Sequence, residues 1–174
     1  MAKLRKGRSY TNLERPYTRK SKYKKKSFVR SMPVCKVTKF VSGNAKKNFE
    51  YTLLLHCSKD IQLRHNALES ARQSSNRLLE KKLGTNEFFS RVRVYPHHAL
   101  RENPLASGAG ADRMSTGMSK AFGKVIGIAA QVKKGQPVFE VQVNTANLET
   151  AKLALTRAKN KLPCDFTISM TKNA

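Results

Sequence analysis

The chain has 174 residues, enough for one domain with an appended segment and too few for two ordinary domains. Thirty-five Lys and Arg against eleven Asp and Glu give a net charge of +24, a surface that asks for a polyanionic partner, with nucleic acid foremost. A hydrophobic fraction of 39% supports a packed interior and excludes a wholly disordered basic tail, and no apolar run approaches the roughly 20 residues that span a bilayer.

Residues 1–30 carry twelve basic side chains and the single acid Glu14. Gly7, Pro16 and the run Lys22–Lys26 break any regular element there, so the reading is an extended arm, residues 1–30, ahead of one domain over residues 31–174. Arg5, Arg8, Arg15, Arg19, Lys20, Lys22, Lys24, Lys25 and Lys26 are its candidate phosphate contacts. Tyr17 and Tyr23, interleaved with these cations, are candidates for stacking on bases or riboses. The N-terminus lacks the apolar core of a secretory signal, and the expectation is an intracellular, cytoplasmic protein with no membrane partner.

After Pro33, Phe49, Tyr51, Leu53, Leu55 and Cys57 alternate with more polar residues, which predicts a strand with one buried face. Val34–Val41 is expected to pair with it as a hairpin across a turn at Gly43 and Asn44. Ser58 or Asp60 is the expected cap of a helix whose stripe Leu68, Ala71, Ser75, Leu78 and Leu79 runs to Gly84. Arg64, His65, Arg72 and Arg77 flank that stripe and are candidate RNA contacts. Phe88–Tyr95 is expected as a strand ended by Pro96.

A second run of the same plan follows. Ile126, Ile128, Ala130 and Val132 alternate, Lys133–Gln136 form a turn, and Phe139, Val141 and Val143 alternate again. Leu148, Ala151, Leu155, Ala158 and Leu162 step at helical spacing, with Thr145 or Asn147 as cap and Pro163 as stop, before a last strand at Cys164, Phe166, Ile168 and Met170. Strand, strand, helix, strand occurs twice, so the expected class is a two-layer α+β fold rather than a doubly wound parallel sheet. Cys35, Cys57 and Cys164 are widely separated, lack a CxxC pair and sit in apolar alternations, so they are read as reduced core thiols, with no metal and no cofactor.

Residues 97–124 join the two runs, and a connection this long inside a compact domain is usually functional or disordered. Ser107-Gly108-Ala109-Gly110 lacks the GxxxxGK[ST] frame, and Gly123-Lys124 is followed by Val125, so a phosphate-cradling nucleotide loop is not supported. His97, His98, Glu102 and Asp112 present no paired carboxylate or nucleophile and base frame, which leaves no candidate catalytic residue and no small-molecule substrate. His97, His98, Lys120 and Lys124 are read as RNA contacts instead.

Three segments together carry a resemblance: Arg64–Arg77 (RHNALESARQSSNR), Arg91–Asn103 (RVRVYPHHALREN) and above all Ala106–Lys124 (ASGAGADRMSTGMSKAFGK). They resemble the archaeal and eukaryotic branch of the large-subunit ribosomal protein sixteen family, the ten-e type, over most of the chain from Arg15 to Cys164. The resemblance implies an α/β-hammerhead-like α+β fold and a structural role on large-subunit rRNA beside neighbouring ribosomal proteins. It also implies an internal loop near the peptidyl-transferase centre that supports tRNA positioning through Arg101, Asn103, Ser107, Gly108, Ala109, Gly110, Asp112 and Arg113. Ser119, Val125 and Gln131 depart from residues common in that family, respectively Arg, Pro and Arg. A free-standing RNA chaperone or architectural nucleic-acid-binding protein is the competing reading that composition alone permits.

Overall fold

The computed structural model describes residues 5–18, 23, 29, 31–102 and 123–173. Asn103, Ser107–Gly110, Asp112, Arg113 and Lys120, and in the arm Arg19, Lys20, Lys22 and Lys24–Lys26, lie outside the described residues.

The alternation around Leu53 organises the larger of two antiparallel sheets. Strand β2 (Tyr51–Cys57) buries Leu53, Leu55 and Cys57 on one face. Its neighbours are β7 (Pro137–Val143) and β8 (Phe166–Lys172), and β4 (Phe89–Val92) and β1 (Val41–Gly43) extend the sheet beyond β7 in the order β1-β4-β7-β2-β8. A smaller sheet, order β3-β6-β5, holds β3 (Ile61–Arg64), β6 (Lys124–Val132) and β5 (His98–Glu102). Helices α1 (His65–Leu83) and α2 (Leu148–Lys159) pack on each other; α2 lies on β7 and β2, and α1 on β3 and β6. The chain is therefore α+β, with a layer of helices against antiparallel sheets.

One hydrophobic cluster joins the two layers. Leu68, Ala71, Leu78 and Leu79 of α1 and Ala151, Ala154, Leu155 and Ala158 of α2 meet Leu53, Leu55, Val141 and Val143 of the sheet. The expected α1 stripe is buried throughout, and Gly84 ends the helix with φ of 77°. Leu162 is also buried, but it follows the end of α2 instead of continuing its stripe.

Several expected pairings are corrected. Residues 34–40 form no strand, so Val34–Val41 makes no hairpin with β2. β1 pairs with β4, and Gly43, with φ of 85°, lies so close to Phe88 that an added Cβ would stand 2.2 Å from its carbonyl oxygen. Ser58 and Asp60 do not cap α1. A strand intervenes, Arg64 holds the cap position without a side-chain bond, and Asp60 Oδ1 accepts from the Lys134 amide at 2.6 Å. Neither Thr145 nor Asn147 caps α2 by its side chain; the Thr145 hydroxyl donates to Glu50.

The turn at 133–136 carries the chain from the small sheet to the large one and makes no β6–β7 hairpin. Two hydrogen bonds pull it away: the Gly135 amide donates to the Cys57 carbonyl at 2.7 Å, and the Cys57 amide to the Gln136 carbonyl at 3.1 Å. The two strand, strand, helix, strand runs are thus interleaved across both sheets. Cys57 is buried, Cys35 and Cys164 are half-buried, and all three are free; Cys35 stands outside any strand and Cys164 just before β8. Burial, with help from Cys57 at 3.4 Å, pushes the Cys164 thiol up to about 12.

Candidate nucleic-acid interface

The arm and the small sheet form the first part of the interface. Residues Gly7–Tyr10 make a 3-10 turn against β3, and Tyr10 packs on the core. The Gln62 side-chain amide donates to the Asn12 carbonyl at 2.6 Å. At Tyr17 the chain lies along the open edge of β5: the Ala99 amide donates to the Tyr17 carbonyl at 3.1 Å, and the Tyr17 amide donates to His98 Nδ1 at 2.8 Å. Covering this edge hides ladder groups that would otherwise be free to pair with another chain. The Arg101 guanidinium stacks on the Tyr17 ring, 4.1 Å from its centroid, and Arg5 pairs with Glu102.

The described arm residues therefore wrap the body, and Tyr17 is an internal anchor more than a free stacking ring. Arg8 and Arg15 remain exposed on the outside of this wrap. His98 is held neutral-leaning, its pKa lowered by burial and by the neighbouring Arg101 charge. Neutral Nδ1 is also what the Tyr17 hydrogen bond requires, since only an unprotonated ring nitrogen accepts.

Glu102 and Lys124 are register partners at the end of the β5–β6 pair. These two residues, which flank the loop, accordingly lie side by side in the small sheet, beside the Arg5–Glu102 pair and the Tyr17–Arg101 stack.

On α1 the four candidates separate. Arg77 is exposed and Arg64 half-exposed, but His65 is buried, with Nδ1 accepting from the Lys36 amide at 3.3 Å. Burial, then the charges of Lys36 and Arg64, lower its pKa. Arg72 makes a forked pair with Glu69, Nη2 to Oε1 at 2.7 Å and Nε to Oε2 at 2.9 Å, while Nη2 also reaches Thr38. Those bonds hold the Glu69 carboxyl below and the Arg72 guanidinium above their ordinary ranges. His65 and Arg72 thus fasten residues 36–38 to the helix.

A third surface escaped the sequence reading, apart from His97. From Arg91 to His97 the outward residues are Arg91, Arg93, Tyr95 and His97, while Val92, Val94 and Pro96 are buried. Its signal in the sequence is the period-2 alternation of RVRVYPH, which sets cations and aromatic rings on one side of an extended segment even though the expected Phe88–Tyr95 strand, β4, ends at Val92. Among the described residues no helix is long and apolar enough to cross a membrane, and no cluster of three or more His, Cys, Asp or Glu could hold a metal ion.

Residues 17–169 match the family described as ribosomal protein L16p/L10e. The chain belongs to that family. Large ribosomal subunit protein uL16 of Methanocella arvoryzae is 43% identical over 168 residues, covering 97% of this chain and 95% of that protein. The same-named protein of Methanococcus maripaludis strain C7 is 43% identical over 169 residues with the same coverage. That of Hyperthermus butylicus is 45% identical over 148 residues, 85% of this chain and 79% of its own length. Membership in the L16p/L10e family identifies a structural ribosomal protein rather than an enzyme, in agreement with the resemblance read from residues 64–124.

Proposed function

We propose that this chain is a structural constituent of the large ribosomal subunit that binds large-subunit rRNA and, through residues 101–113, supports tRNA positioning near the peptidyl-transferase centre. The observation that carries the reading is near-full-length similarity to large-subunit proteins on a chain of net charge +24. Its eleven acids, five of them paired with cations among the described residues, are too few to neutralise 35 Lys and Arg. The exposed arm cations, Arg77, His97 and Lys124 supply phosphate and ribose contacts. The segment 103–122, rooted at Glu102 and Lys124, supplies the tRNA-facing part, with the glycines at 108 and 110 permitting close backbone approach.

Gradient sedimentation of cell extract tests the first half: the chain is expected in the large-subunit peak, and free protein at the top of a low-salt gradient would overturn it. Shortening Ser107–Ala111 tests the second. Incorporation is expected to persist while tRNA affinity of the subunits falls; unchanged tRNA affinity would remove the loop from tRNA handling.

A further inference from the structure

We propose that the outward side of residues 91–97, together with Phe40, is a binding site for an unpaired RNA nucleotide: its base stacks on the exposed aromatic surface of Tyr95 and His97, and Arg91 and Arg93 meet the flanking phosphates. The inference rests on the rRNA-binding reading above and names a site for it. Three observations support it.

The first is the rings. Phe40 and Tyr95 are stacked, centroids 5.3 Å apart and planes 26° apart, and Tyr95 and His97 follow at 4.6 Å and 46°. Phe40 is the anchored end, packed against the core, while Tyr95 is 47% exposed and His97 is exposed as well. The backbone fixes the group: the His97 amide donates to the Tyr95 carbonyl at 3.0 Å, a tight turn around buried Pro96 that draws rings two residues apart into contact. A run of prearranged rings with an open end offers a base a stacking partner without ordering loose side chains.

The second is the cations. Val92 and Val94 hold the inward positions, so Arg91 and Arg93 project on the same side as Tyr95. Outward residues of an extended segment stand about 7 Å apart, comparable to consecutive phosphates of an extended nucleotide strand. Arg93 Nη1 is fixed by Glu140 at 3.0 Å, yet the side chain stays 43% exposed; Arg91 is exposed and has no ion-pair partner among the described residues. Guanidinium groups suit this place because their fork matches phosphate oxygens.

The third is charge. The acid against this row is Glu140, which is itself buried and committed to Arg93 and to the Gln142 amide. The outer surface is therefore positive and aromatic, complementary to a nucleotide and unsuited to a basic partner.

The test uses native large subunits carrying the wild-type chain, Tyr95→Leu, Tyr95→Phe or Arg91→Gln. Zero-length ultraviolet crosslinking with mass spectrometry is expected to join Tyr95 or His97 to an unpaired rRNA nucleotide. Acylation of that nucleotide's 2′-hydroxyl should rise in Tyr95→Leu subunits and stay near wild type in Tyr95→Phe, with local affinity weakened at least about fivefold by loss of the ring. Tyr95 also supports Phe40, so Arg91→Gln provides a readout that leaves the rings intact; the same nucleotides should gain reactivity. Crosslinks from Tyr95 to a protein, or rRNA reactivity unchanged from wild type in both Tyr95→Leu and Arg91→Gln subunits, would overturn the site. If the wild-type chain is missing from the subunit peak, it is the rRNA-binding reading that has failed.

Discussion

Glu69 determines what Arg72 can do. In a chain with a large excess of cations, a buried carboxylate that accepts two guanidinium bonds makes one Arg part of a clamp on residues 36–38. Its lowered pKa gives a pH dependence: the clamp stabilises fully above the ordinary Glu value of about 4.3 and is lost as pH falls through the depressed folded value. Glu69→Gln is expected to destabilise by about 1.5–3 kcal/mol at neutral pH and to flatten the acid limb of the stability curve; thermal melts from pH 3 to 7 measure both, and an unchanged acid limb would refute the role. His98 works on the same logic with a different window. Its folded pKa is lowered, so its contribution is complete above about 6.5 and declines as pH falls below that. An NMR titration should place His98 below the ordinary histidine value, with Tyr17 amide protection disappearing in step. These roles were not readable from residue type. His65, Arg72 and Tyr17 have the chemistry of RNA contacts; Glu69 is local to Arg72, but Lys36 and Thr38, which His65 and Arg72 hold, lie 29 and 34 residues away, and His98 lies 81 residues from Tyr17.

At the scale of elements, period and stop signals are legible, and pairing is not. The α1 stripe, its stop at Gly84 and the alternation of Leu53, Leu55 and Cys57 follow from spacing, because burial repeats at 3.6 or 2 residues. The turn at 133–136 looks locally like a hairpin turn, and it parts β6 from β7 through bonds to Cys57 and Asp60 that no local pattern announces. The arm makes the same point, since basic sequence without a period reads as an extended RNA-binding arm ahead of the domain, and no local pattern announces that Tyr10, Asn12 and Tyr17 are tied to the body. Deleting residues 1–18 is therefore expected to lower stability by a few kcal/mol, through loss of the Tyr10 and Tyr17 packing and the edge bond to Ala99. Hydrogen exchange should show the loss concentrated at Ala99 and its neighbours in β5. Protection equal to that of the full chain would mean that the arm contributes charge alone.

Across the whole molecule, the question is which cations meet RNA, and ion pairing sorts them. Complete pairing of every acid would still leave 24 Lys and Arg without a partner charge, and five pairs are made among the described residues. Neutralised phosphates release counterions, so binding to large-subunit rRNA should weaken linearly in log affinity against log salt, with each contact contributing about −0.7 to −0.9 to the slope. Two substitutions with the same formal charge change should then behave differently. Arg77→Gln removes an exposed cation from α1 and should shift the slope by about one contact while leaving the melting temperature nearly unchanged. Arg72→Gln removes a cation already committed to Glu69, so the slope should hold while stability falls. Filter-binding isotherms between 50 and 300 mM salt, on the order used to resolve such slopes, together with thermal melts of both variants, separate the two effects. Equal slope changes would show that the Glu69 clamp opens on the RNA and that Arg72 is shared between helix and phosphate.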